Sequence, residues 1–222
     1  MHLKRLPISI PKKGLVLLLC SLFSFALAQQ YQISEQLLTK IRHKYGAPAE
    51  ARIRNWQNLI RDYQHEEELQ KLAIVNDFFN GARFVNDQKQ WNKRDYWATP
   101  LEFLIHDAGD CEDFSIAKYF TLREMGLDVS KLRITYVKAL ILNQAHMVLA
   151  YYPSPNAEPL ILDNINKLIK PASERTDLKP VYSFNADDLW LARSRNEQLK
   201  AGKSSQINLW RDLTARMQRE LL

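Results

Sequence analysis

An α+β fold with an antiparallel sheet is what this sequence predicts, and three observations predict it. The first third carries apolar residues at helical spacing, as in Ile53, Trp56, Leu59, Ile60 and Tyr63. Short runs of strand formers begin only at Leu132. Between the two regions lies one more helix, opened by Asp110 and stopped by Gly126. Helices first and strands second argue against alternating βαβ units. With 222 residues the chain suits one buried core.

In chain order, Lys4, Arg5, Lys12 and Lys13 precede an apolar run from Leu15 to Leu27 that closes on Ala26-Leu27-Ala28. This is the three-part layout of a secretory signal peptide. The run falls short of the ~18 apolar residues that a membrane span needs. Residues 1–28 therefore read as a cleavable leader and 29–222 as one mature domain, exported to the periplasm with no stable membrane insertion. The run Leu17-Leu18-Leu19-Cys20 has the look of a lipoprotein site, but Leu19 stands where such processing prefers a small residue.

Four of the 31 Lys/Arg and none of the 25 Asp/Glu lie in residues 1–28, so the formal charge falls from +6 to +2 on their removal. The remaining basic residues alternate with acids and form no stripe, which excludes nucleic acid as a partner. Cys20 leaves with the leader, and Cys111 is then the single cysteine. In an oxidising compartment it is either a buried apolar residue or a reactive thiol.

Helices are expected from Gln30 to about Phe84, broken at Gly46-Ala47-Pro48, with a third from Glu66 to Phe79 whose apolar side includes Leu72, Val75, Asn76 and Phe79. Thr99-Pro100 marks another helix start. An amphipathic helix follows from Cys111 to Met125. Strands are expected at Leu132–Leu140, Ala145–Tyr152 and Glu158–Ile165, with a further one over Val181–Phe184. From Asp187 the chain reads as helical, broken at Gly202-Lys203-Ser204-Ser205 before a last helix.

A helix N-terminus supplies partial positive charge and free N–H groups that favour a thiolate at Cys111. Asp110, Glu112 and Asp113 oppose this, because negative neighbours raise a thiol's pKa. Clustered carboxylates in a loop-to-helix turn suit calcium, which would offset their charge; as plain helix-capping acids they need no metal. If Pro153-Ser154-Pro155-Asn156 forms a four-residue loop, His146 falls directly opposite Asp163, about 5 Å away on a shared face. A carboxylate so placed orients an imidazole as a base. His106 is a rival base without a comparable partner, and His43 and His65 read as surface residues. The backbone N–H of Cys111 is a natural oxyanion donor, with Trp97 and Asn143 as possible neighbours.

Gly109-Asp110-Cys111-Glu112-Asp113-Phe114-Ser115-Ile116-Ala117-Lys118, Leu132–Val137, Asn143–Leu149 and Leu160–Asn164 together resemble the bacterial transglutaminase-like cysteine proteinases, more narrowly their LapG-type periplasmic branch. The resemblance covers roughly Trp97 to Asn164. It implies a papain/transglutaminase-like core, N-terminal helices with the nucleophile helix packed on an antiparallel sheet, and C-terminal helices. It assigns a catalytic triad to Cys111, His146 and Asp163 and a calcium site to Asp110 and Glu112; Asp113 is added on proximity. It further implies cleavage of a large surface adhesin near its N-terminus, at a paired-alanine site, releasing the adhesin and promoting biofilm dispersal. Control would come from an inner-membrane receptor whose periplasmic domain sequesters the protease when its cytoplasmic domain binds cyclic-di-GMP. The residues leave two alternatives open: acyl transfer to an amine, as in transglutaminases, and a non-catalytic calcium-responsive binding module.

Overall fold

The computed structural model describes residues 33–192 and 198–220. The expected leader, its cleavage point and Cys20 lie outside the described residues.

Helix α1 (Glu35–Tyr45) begins where the Ser34 side chain accepts a hydrogen bond from the Leu37 N–H. It ends at Gly46, whose φ of 89° favours a residue without a side chain. Helices α2 (Ala47–Tyr63) and α3 (Glu68–Phe79) follow. A short strand β1 (Arg83–Phe84) leads to helix α4 (Asp87–Trp91). Helix α5 (Pro100–His106) opens on a capping box between Thr99 and Glu102, as Thr99-Pro100 predicts. Strand β2 (Ala108–Gly109) pairs in parallel with β1, and helix α6 (Cys111–Glu124) follows at once.

Helix α6 is the centre of the molecule. Instead of showing the single apolar face expected of it, it is buried on every side: Ile116, Ala117, Tyr119 and Leu122 are all fully enclosed. It packs against α3 and α5 on one side and the sheet on the other. Trp56 of α2 donates its indole N–H to Thr121 at 2.8 Å.

The strands are β3 (Leu132–Ala139), β4 (Gln144–Tyr151), β5 (Leu160–Leu162), β6 (Lys170–Pro171), β7 (Leu178–Phe184), β8 (Asp188–Ala192) and β9 (Gln198–Lys203). They form one sheet in the order β6-β5-β4-β3-β7-β8-β9, every pair antiparallel. Val137, Val148, Ala150, Ile161, Ala172 and Leu178 make a second, smaller core on the sheet. Helix α7 (Asn208–Glu220) closes the fold, with Trp210 stacked on Phe120 of α6.

Two expectations are corrected. Residues 188–192 and 198–203 are strands rather than helix, because β7 would otherwise be an open edge and β8 supplies its partners; Trp190 also lies under the Arg133 guanidinium. One helix, not several, therefore ends the chain. The β4–β5 register pairs Tyr151 with Leu160 and Leu149 with Leu162, two residues from the expected pairing. A slip of two keeps every side chain on its face, whereas a slip of one would reverse it.

Candidate active site

Cys111 stands at the first position of α6, after Asp110 as N-cap. Asp113 fixes this start. Wholly buried, it accepts hydrogen bonds from the backbone N–H of Ala98 at 2.7 Å and of Asp110 at 3.2 Å. Burial raises the Cys111 thiol's pKa, and the backbone of Met147 on β4, the residue after His146, works against that rise. The thiol donates to Glu112 Oε2 at 3.0 Å.

His146 and Asp163 meet even though the register differs. Their side chains are 2% and 0% exposed, and His146 Nε2 lies 2.8 Å from Asp163 Oδ1. Asp163 Oδ1 also accepts from the Ile165 N–H at 3.0 Å, and Oδ2 accepts from Arg175 at 2.7 Å. Burial alone would raise this acid's pKa; the bonds from His146, Ile165 and Arg175 and the neighbouring positive charge hold it well below the usual carboxylate range.

A polar knot beneath Asp163 went unread in the sequence. Its backbone carbonyl accepts from Asn80 at 3.0 Å and from Lys118 at 3.2 Å. Lys118 Nζ also donates to Asn76 Oδ1 at 2.9 Å and Asn80 Oδ1 at 2.8 Å. One signal was present: Lys118 lies seven residues after Cys111, two turns along the same side of the same helix.

The parallel β1–β2 pair sets the start of α4 beside the start of α6. Asp87, Asp110 and Glu112 consequently converge, with one carboxylate oxygen from each within 4.8 Å of the others. Asp113 stands apart from this cluster, and Asp87 takes the third place. Two of its oxygens, Asp87 Oδ1 and Asp110 Oδ1, are buried with no hydrogen-bond partner. Burial, then the charges of Glu112 and Asp113, push Asp110 up to about 10. Burial, with Glu112 and Asp95 adding to it, pushes Asp87 up to about 6. The Cys111 thiol is raised by burial first, then by the charge and hydrogen bond of Glu112 and the charge of Asp110. Three hard oxygen donors, two of them with a buried oxygen that lacks a partner, fit a calcium ion.

His106 meets the ring edges of Tyr45 and Trp91. The Trp97 ring stacks on Phe184 in the core, and Asn143 holds a left-handed turn conformation before β4.

The model of the family described as bacterial transglutaminase-like cysteine proteinase matches residues 47–190. Among solved structures, EGTA-treated LapG of Legionella pneumophila is 45% identical, with a TM-score of 0.73, and the match covers 83% of this chain and 98% of that one. Its calcium-bound form is 44% identical, with a TM-score of 0.72 and coverage of 83% and 99%. No curated protein sequence matches this chain.

Proposed function

The chain belongs to the bacterial transglutaminase-like cysteine proteinases, and from that premise we propose that it is a calcium-dependent cysteine endopeptidase with Cys111 as nucleophile, His146 as base and Asp163 as orienting acid. The observation that supports the reading is the buried His146–Asp163 pair at 2.8 Å, with a helix-start cysteine whose sulfur feels the backbone of Met147, the residue after His146. Asp163 takes the Nε2 side of the ring, which leaves Nδ1 to accept the thiol proton. The thiolate attacks the scissile carbonyl, His146 returns the proton to the leaving amine, and water, deprotonated by the same ring, hydrolyses the acyl-enzyme. The Cys111 N–H at the helix start is placed to donate to the oxyanion.

Asp87, Asp110 and Glu112 would hold the calcium ion; its charge there would offset the carboxylates that disfavour the thiolate. The calcium-bound and EGTA-treated forms of the similar LapG support calcium as the ion, and the cluster of carboxylates supports its place. Among the described residues no helix is long and apolar enough to cross a membrane; the charged and apolar pattern of residues 1–28 supports export to the periplasm. The substrate is a large surface adhesin, cut near its N-terminus at a paired-alanine site to release it for biofilm dispersal. The periplasmic domain of an inner-membrane cyclic-di-GMP receptor restrains the enzyme.

The test is incubation of residues 29–222 with an adhesin N-terminal fragment, with and without EGTA, followed by sequencing of the new terminus. Cys111→Ala should abolish cleavage and leave the melting curve unchanged. Turnover by that variant would remove the nucleophile, and full activity in EGTA would remove the calcium.

A further inference from the structure

The orienting acid is itself held from the side away from the imidazole. Asp163 Oδ1 serves His146 and the Ile165 N–H, while Oδ2 serves Arg175 at 2.7 Å. The Arg175 side chain is 2% exposed. It is anchored in turn by Asp177, with Nε 3.0 Å from Oδ1 and a terminal nitrogen 2.8 Å from Oδ2. The Asp177 carbonyl accepts the Leu140 N–H at 2.7 Å, just past the end of β3. A planar guanidinium locked to one carboxylate presents its remaining N–H at a fixed angle to the other.

We infer that Arg175 is a positioning residue for the reaction: it acts through Asp163, fixing the plane of that carboxylate so that Oδ1 stays on His146 Nε2. The inference rests on the triad reading above. Without Arg175 the Asp163 carboxylate keeps its bonds on Oδ1 but loses the one on Oδ2, and rotation about its Cβ–Cγ bond is no longer opposed. The imidazole then loses its orientation toward the sulfur in a fraction of molecules. Lys118 and Asn80 hold only the backbone carbonyl of Asp163 and leave that rotation free. Arg175 joins the acid to the second core, where it lines a cavity with Val137, Val148, Ile161 and Leu178.

A double-mutant cycle tests this, with kcat, KM and the melting temperature measured for Arg175→Gln, Arg175→Lys, Asp163→Asn and Arg175→Gln/Asp163→Asn. Arg175→Gln should lower kcat by on the order of a hundredfold, the scale of a misplaced catalytic group, with KM changed less than about twofold. Arg175→Lys should restore part of the loss. In the Asp163→Asn background Arg175→Gln should cost nothing further, because it acts through the group already removed. Wild-type kcat in Arg175→Gln, a loss confined to KM, or a loss that multiplies with that of Asp163→Asn would overturn the inference. If Arg175→Gln does not fold, the same cycle with Arg175→Lys decides, non-multiplying losses supporting the role and multiplying ones ending it. Wild-type activity in Asp163→Asn would overturn the triad itself, a result separate from the others.

Discussion

A buried carboxylate oxygen with nothing to accept must take up a proton or meet a cation. Asp87 Oδ1 and Asp110 Oδ1 are in that position, and Asp110 directly precedes the cysteine whose sulfur has to ionise. Asp87→Asn should therefore weaken calcium binding by at least tenfold, read by isothermal titration calorimetry, since a donor's charge is lost from a three-acid cluster. Asp113→Asn should instead lower the melting temperature, because its two bonds hold the helix start. Calcium should speed alkylation of Cys111 by iodoacetamide and EGTA slow it; equal rates would separate the carboxylate cluster from the thiol. The helix start at Cys111 and the meeting of His146 with Asp163 were legible because each follows from a local pattern: a capping residue, and strand alternation carried across a hairpin. Asp87, Asn76, Asn80 and Arg175 were not, since they reach the site from a short helix, a long helix and a loop whose placement depends on tertiary pairing.

At the scale of elements, the tightest approach is between β2 and α6. A Cβ added at Gly109 would lie 2.6 Å from Asp113 Oδ2 and 2.8 Å from the Phe103 ring, and neither neighbour is free to retreat. Gly109→Ala should cost about 1–3 kcal/mol, measured as a lower urea midpoint at unchanged slope. The β4–β5 hairpin shows what a strand pattern can and cannot tell. Its parity was readable, so His146 and Asp163 were placed on one face. Its loop length was not, and the pair meets diagonally rather than directly opposite. Shortening the 153–158 loop by two residues should thus preserve some activity, and by one residue none, in a cleavage assay. Charge over 187–200 masked the alternation of Leu189 and Leu191, which only the open edge of β7 makes decisive.

At the scale of the whole molecule, Lys118 stands where the helices, the sheet and the acid's backbone meet. Burial pushes its amine down to about 7, from about 10.4 in an unfolded chain. Below about pH 7 both states carry the proton, and the folded one bears the full cost of a buried charge. Between the two values the unfolded chain holds more protons, so stability rises with pH over that window. Lys118→Met should flatten the rise, measured as urea midpoints at about pH 7 and pH 10. The helical half was legible because amphipathic periodicity is a local signal, whereas α6, buried all round although it carries Ser115, Lys118 and Thr121, gave up its place at the centre only in the assembled fold. That central placement has a regulatory corollary. A helix wrapped on every side exchanges its amide hydrogens only when the entire domain opens, so it is a poor lever. Any brake on this enzyme is expected to act at the partly exposed start of that helix, around Cys111 and Glu112, or by withdrawing the cation, rather than by shifting the scaffold behind the sulfur.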